Sequence, residues 1–178
     1  RLVESHATGN LDLEHYRRIA EKVMDDSLGR VMVYQFLDKR DFKSRDVVYL
    51  SGGIVWAIAS LMHPELIRQN HVELTAQDIT AFRELVYTAY DDLIKPDLRK
   101  QLNPEDAAAS YANIKRVVNT YDQKALLAGS IWLDELIQQV NTVNPNKKFI
   151  FPRYAYVGWI SGYIIDKISK QYSELAVK

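Results

Sequence analysis

The longest stretch without charge covers residues 47–62, where no Asp, Glu, Lys, Arg or His occurs. A helix that is apolar on every side normally lies in the core of a protein. The stretch is shorter than the roughly 20 residues that cross a bilayer. Ser44 offers an N-cap hydroxyl before it, and Pro64 disfavours helical conformation in the residue that precedes it. We therefore predict a buried central helix at residues 45–62, around which the other elements pack.

Two adjacent glycines, Gly52 and Gly53, lie in the middle of this stretch. Each costs a helix about 0.5 to 1 kcal/mol relative to alanine, so their presence needs a structural reason. Close packing against another helix is one reason. The alternative is that the glycines divide the segment into a short strand at residues 47–50 and a helix that starts at Ile54.

Small residues recur at helical spacing on the central segment and on the last apolar segment of the chain. These residues are Gly53, Ala57, Ser60, Gly158 and Gly162. A stripe of small side chains allows the backbone of a second helix to approach closely. We therefore predict that the two segments cross each other at short range.

Capping residues and apolar stripes predict further helices along the chain. Residues 75–78 resemble a capping box, and Asn103 followed by Pro104 is a strong helix start. Asp122 is a third N-cap, and a final helix is expected after Pro152. Each start is followed by apolar residues at the spacing of an amphipathic helix.

No segment alternates between apolar and polar residues for more than a few positions. We therefore predict an all-α fold, a single-domain helical bundle of about seven helices around the central helix. Residues 1–10 lack periodicity and end in Gly-Asn, which predicts a flexible lead-in. Residues 11–178 are expected to form the helical domain.

Composition narrows the possible functions. The chain of 178 residues has no cysteine, which excludes disulfides and thiol nucleophiles, and its 23 basic residues balance 23 acidic ones. No overall field therefore attracts nucleic acid or an anionic membrane. The charges are nevertheless uneven, because residues 73–106 are mainly acidic and residues 142–178 mainly basic. Localisation is left open.

Motifs for phosphate-binding loops and for a nucleophile elbow are absent from the sequence. We therefore assign no catalytic or cofactor-binding residue and expect no cofactor. The nearest arrangement to a metal site is a group of imidazole and carboxylate side chains, His63, Glu65, His71 and Glu73. Its spacing matches no known metal site, and the simpler interpretation is that these residues lie at a helix end and in a loop.

Basic and aromatic residues alternate in the segment that follows the last long helix. They are Lys147, Lys148, Phe149, Phe151, Arg153 and Tyr154. Single-stranded nucleic acids are bound by such mixtures, but the neutral charge of the chain argues against this function. The aromatic rings could instead be buried under the loop, or the segment could dock onto a partner. We take these six residues, with Asp91 and Asp92 in the acidic region, as candidate partner-binding residues.

Three functions follow from these observations. The first hypothesis is a non-catalytic helical module for protein–protein interaction or assembly, such as an adaptor, a scaffold or a structural subunit. Its partner would be another protein or a second copy of the chain. The alternative is a helical domain that binds an apolar ligand, a lipid or a membrane between its glycine-containing helices. The third hypothesis is a metal-binding enzyme whose metal ligands lie within residues 63–73.

Overall fold

The computed structural model describes residues 12–32, 37, 39–154 and 162–168. Within these residues the chain forms α1 (Leu13–Met32), α2 (Arg40–Lys43), α3 (Gly53–Met62), α4 (Ala76–Thr88), α5 (Tyr90–Ile94), α6 (Pro104–Thr120), α7 (Gln123–Val143) and α8 (residues 162–168). The strands are β1 (Val47–Tyr49), β2 (His71–Leu74) and β3 (Lys148–Pro152), and short 3₁₀ turns cover Pro64–Leu66 and Leu98–Lys100. The predicted lead-in at residues 1–10 lies outside the described residues.

The architecture is mostly helical, but the described residues also form a three-stranded sheet, so the all-α part of the prediction is not confirmed. The strand order is β1-β3-β2, with β1 parallel and β2 antiparallel to β3. Alternate residues of the sheet face the helices: Val72 and Leu74 of β2 and Phe149 and Phe151 of β3 are buried. The strands are three to five residues long, so their period-two pattern is too short to stand out in the sequence.

The predicted central helix at residues 45–62 is divided into β1 and α3. Gly52 has a φ of +126°, a conformation that residues with a side chain rarely adopt, and it ends the extended segment just before α3 begins. The alternative of a strand followed by a helix is therefore the one observed. The helical half keeps its central position, because six of its ten residues are buried.

Among the described residues, α7 makes a close approach to α3. A Cβ added to Gly129 of α7 would lie 2.9 Å from Cδ1 and 3.3 Å from Cβ of Ile54 on α3. No described heavy atom lies within 4 Å of a Cβ added to Gly162, and Gly158 lies outside the described residues. The predicted crossing of α3 with the last apolar segment of the chain stays a prediction.

The predicted N-caps are confirmed. They could be predicted because a cap depends on only a few neighbouring residues. Asp78 N–H donates to Thr75 Oγ1 at 3.1 Å, and Thr75 N–H donates to the Asp78 carboxylate at 2.7 Å. Asn103 and Asp122 accept hydrogen bonds from backbone N–H groups in the first turns of α6 and α7. Each of these caps stabilises its helix by about 0.5 to 2 kcal/mol.

A carboxylate that is almost completely buried connects α4 to α7. Asp134 is 1 % exposed. Arg83 Nη1 donates to one of its oxygens at 2.7 Å, and Thr80 Oγ1 donates to the other at 3.0 Å. Both oxygens are therefore hydrogen-bonded, which offsets the cost of removing this charge from water.

Glu135, the next residue of α7, lies in a less favourable environment. Burial raises the pKa of its carboxyl, the acidic groups of Asp25, Asp134 and Glu21 raise it further, and Arg83 opposes them. A carboxyl whose folded pKa exceeds its ordinary value favours the protonated form, so its ionisation destabilises the folded state near neutral pH. We expect Glu135→Gln to raise the urea midpoint of unfolding near pH 7.

The gain from Glu135→Gln should disappear as the pH falls below about 4, where the carboxyl is protonated in both folded and unfolded states. Urea unfolding followed by circular dichroism from pH 3 to 8 measures this difference. Asp92→Asn, which changes an exposed acid of α5, is the control and should show no such pH-dependent gain. A midpoint that Glu135→Gln lowers at pH 7 contradicts the prediction.

Candidate ligand-binding cleft

A cleft of about 700 Å³ opens beside the carboxyl ends of β1 and β3. Because these strands are parallel, the loops that follow them meet at the same edge of the sheet. The residues that line the cleft come from these loops, from the end of β3, from the first turn of α3, from the segment between α3 and β2, and from α6. They are Ser51, Gly52, Gly53, Trp56, Ile67, Asn113, Arg116, Phe151, Pro152, Arg153 and Tyr154. The volume lies in the range of about 300 to 1,000 Å³ that is typical of small-molecule sites.

The first turn of α3 presents backbone N–H groups at the cleft. The first helical hydrogen bond runs from Trp56 N–H to Gly52 O at 3.0 Å, so the N–H groups of the three residues between them precede the helical ladder. No side chain caps this end of α3. The positive end of the helix dipole, equivalent to roughly half a charge, therefore lies at the wall of the cleft.

Gly53 is enclosed on its other side by an aromatic ring. A Cβ added to Gly53 would lie 1.8 Å from the hydroxyl oxygen of Tyr121, the residue that follows α6. Glycine at position 53 leaves room for the Tyr121 hydroxyl, while Gly52 is required for its positive φ. The start of α3 thus lies against the residue that follows α6.

Arg153 is the cation that the sheet places in the cleft wall. One of its Nη atoms donates to Leu66 O at 3.0 Å, while its buried Nε–H has no hydrogen-bond partner among the described residues. Burial lowers the pKa of the guanidinium, against weaker opposing effects of Tyr154 and Glu65. No carboxylate of the described residues lies within ion-pair distance of Arg153. The side chain is thus a partly desolvated cation with an unused donor.

Arg116 and Trp56 form the opposite wall. The guanidinium carbon of Arg116 lies 5.3 Å from the centre of the Trp56 ring, within the range of a cation–π contact. Arg116 is exposed, and Asn113 lies nearly one turn before it on α6. The cleft therefore combines two arginines, a helix N-terminus and an aromatic face.

The structure separates the predicted partner-binding residues into buried and exposed groups. Lys147, Phe149 and Phe151 are at most 6 % exposed. The Lys147 ammonium donates to the carbonyls of Phe42 and Arg45, and so ties α2 to the start of β3. Lys147 and Phe149 are therefore out of reach of a partner in this fold, whereas the mostly buried ring of Phe151 borders the cleft.

Five of the predicted residues lie where a ligand or partner can reach them. Arg153 and Tyr154 line the cleft. Lys148 is exposed with its Nζ atom 3.9 Å from the carboxylate of Glu73, and Asp91 and Asp92 are exposed on α5. Partner binding through Lys148, Asp91 and Asp92 stays a prediction.

The candidate metal ligands are not brought together. His63 lies between Glu65 and Asp78, at 3.3 Å and 3.4 Å, and His71 and Glu73 lie on the exposed face of β2. Burial alone would raise the pKa of Asp78, but hydrogen bonds from Thr75, with His63 nearby, hold it below its usual value. In the part of the chain that the structure describes, no group of three or more His, Asp or Glu side chains is arranged to hold a metal ion.

Several cleft residues were not selected from the sequence, namely Ser51, Gly52, Trp56, Asn113 and Arg116. The sequence did contain one usable signal, because a strand followed by two glycines and a helix was among the alternatives. A loop of that kind is a common place for a bound anion. The arginine and asparagine of α6 carry no comparable signal, since nothing in their spacing relates them to residues far away in the chain.

Comparison of the chain with protein-family models, with curated proteins and with solved structures finds no match. Among the helices that the structure describes, none has both the length and the apolar character that a membrane span requires.

Proposed function

We propose that this chain binds a small organic anion in the cleft, through a phosphate or carboxylate group and an attached apolar or planar part. The observation that carries the proposal is the partly buried Arg153 guanidinium, whose Nε–H has no hydrogen-bond partner and which has no carboxylate within ion-pair distance among the described residues. A cation in such an environment gains a charge-assisted hydrogen bond when an anion enters.

The positive groups of the cleft come from three separate parts of the fold. Arg153 follows β3, Arg116 belongs to α6, and the open N-terminus belongs to α3. Backbone N–H groups at a helix N-terminus and guanidinium groups both favour phosphate and carboxylate ligands. Their position around one cavity supports an anionic ligand more strongly than the purely apolar ligand that the sequence suggests.

The remaining walls support a ligand with an apolar part. Trp56, Phe151 and Pro152 contribute apolar surface, and Tyr154 is 59 % exposed at the rim. Among the described residues that line the cleft, none is Asp, Glu, His or Lys, so its charged side chains are the two arginines.

Isothermal titration calorimetry with phenyl phosphate tests the proposal, with inorganic phosphate and phenol as partial probes. We expect phenyl phosphate to bind more tightly than either probe, because it reaches both the positive groups and the aromatic wall. Arg153→Gln and Arg116→Gln should each weaken binding by about tenfold or more, the usual effect of losing a hydrogen bond to a charged group.

Arg99→Gln is the matched control, because Arg99 is an exposed arginine that does not line this cleft. Its affinity for phenyl phosphate should equal that of the unchanged protein. Urea midpoints of all three variants show whether the fold is retained. Equal binding of phenol and phenyl phosphate would favour the apolar-ligand hypothesis, and unchanged affinity in both cleft variants would contradict the proposed site.

Protein–protein interaction is retained as a second proposal. The exposure of Asp91, Asp92 and Lys148 supports it, as does the exposed apolar surface of α8. A binding domain and an interaction module are compatible, since the cleft and these side chains occupy different parts of the surface.

A further inference from the structure

Among the described residues, no strand pairs with the side of β1 that faces away from β3. The parallel ladder with β3 uses the backbone of alternate residues: Lys148 N–H donates to Asp46 O, and Leu50 N–H donates to Ile150 O, both at 2.8 Å. In a parallel ladder the residues between these direct their N–H and C=O groups to the opposite side. The backbone groups of Val47 and Tyr49 therefore point away from β3, and no described residue hydrogen-bonds to them.

The two edges of the sheet differ in their side chains. On β2, at the other edge, His71 and Glu73 are exposed, and polar or charged residues on an edge strand discourage pairing with another chain. The residues of β1 are Val47, Val48 and Tyr49, all strong strand formers without charge. Tyr49 is 68 % exposed. Edge β1 thus lacks the protection that edge β2 has.

We propose that a partner polypeptide in extended conformation adds to the sheet as a fourth strand beside β1. The open N–H and C=O groups of Val47 and Tyr49 would pair with its backbone, as in other cases of strand addition. Side chains of the added strand alternate between the two faces of the sheet. A residue beside Val48 would extend the buried face, and a β-branched or aromatic residue would pack against Tyr49.

A second copy of this chain is a poorer occupant of the edge. Pairing β1 with β1 of another molecule would join strands of three residues each. Stable interfaces between folded proteins use roughly 20 to 30 residues on each side. An extended segment avoids this requirement, because its backbone hydrogen bonds and two or three side chains supply the contact.

Amide NMR on the intact chain tests the proposal with a defined probe, the acetylated and amidated peptide Thr-Val-Thr-Val-Thr-Val. We expect the amides of Val47 and Tyr49 to exchange quickly with solvent in the protein alone, while those of Val48 and Leu50 exchange slowly. Adding the peptide should shift the signals of Val47 and Tyr49 and slow their exchange. The same peptide with N-methyl groups on alternate residues should have no effect, because it lacks the donors for a ladder.

Val47→Pro and Tyr49→Pro remove one outward-facing donor each and leave the hydrogen bonds to β3 in place. Each should weaken peptide binding by about fivefold, whereas His71→Pro, the same change at the other edge, should leave it unaltered. Unchanged affinity in both β1 variants, or no shift at millimolar peptide, overturns the proposal. Slow exchange of Val47 and Tyr49 without peptide, together with a dimeric mass in light scattering, overturns it in favour of a second copy.

Discussion

Replacing Asp134 by leucine is expected to lower the free energy of unfolding by about 3 kcal/mol. Leucine accepts no hydrogen bond, so Arg83 and Thr80 lose the carboxylate to which they donate. The expected loss lies at the lower end of the range for broken buried ion pairs, because the Arg83 side chain is 22 % exposed and can reach water. Urea unfolding followed by circular dichroism measures the difference.

The double variant Arg83→Met with Asp134→Leu should recover at least half of this loss. Replacing both members of a buried ion pair with apolar residues leaves no charge without a partner. Asp91→Leu serves as the control, because Asp91 pairs with Lys95 at 2.8 Å on an exposed surface, where such pairs contribute little. A double variant as unstable as Asp134→Leu would show that the loss arises from the leucine and not from an unpaired Arg83.

Changing Gly129 to alanine is expected to destabilise the protein by about 1 to 3 kcal/mol, although alanine favours helix formation. The added Cβ would lie 3.3 Å from Cβ of Ile54, an atom fixed to the backbone of α3, so relief requires a shift of the helix. Thermal and urea unfolding should both report the loss. Gly129→Val should be more damaging, because its two γ carbons extend further towards α3.

Gly162→Ala is the matched control for this prediction. Gly162 is exposed on α8, and a Cβ there meets no described atom within 4 Å. Its stability should be unchanged or slightly higher, by about 0.5 to 1 kcal/mol, because alanine is the better helix former. If Gly129→Ala also stabilises the chain, α3 and α7 are not packed as closely as the structure indicates.

The helices that could be predicted are those whose signals are local. Thr75, Asn103 and Asp122 cap α4, α6 and α7 as their sequences indicate, since a cap involves residues three positions apart. The strands could not be predicted in the same way. Val47 and Lys148 are paired in the sheet but lie a hundred residues apart in the chain, and neither short segment shows alternation long enough to recognise.

The candidate cleft was partly visible in the sequence. Arg153 and Tyr154 were selected as residues for contact with a partner, and they do line a cavity. The neighbouring Phe149 was selected on the same grounds, but it is buried and does not line the cavity. Nothing in the local sequence distinguishes it from the cleft residues, because the direction of each side chain depends on its register in β3 and on the position of α3.

The sequence by itself determined the starts of α4, α6 and α7, the central position of the apolar segment and the absence of cysteine chemistry. These features depend on composition or on side chains within one helical turn of each other. The tertiary structure alone decided that Gly52 separates a strand from a helix, that Gly129 is the close contact of α3, and that Arg116 and Arg153 share a cleft. Each of these depends on contacts between distant parts of the chain, whose geometry arises only when the sheet and helices pack together.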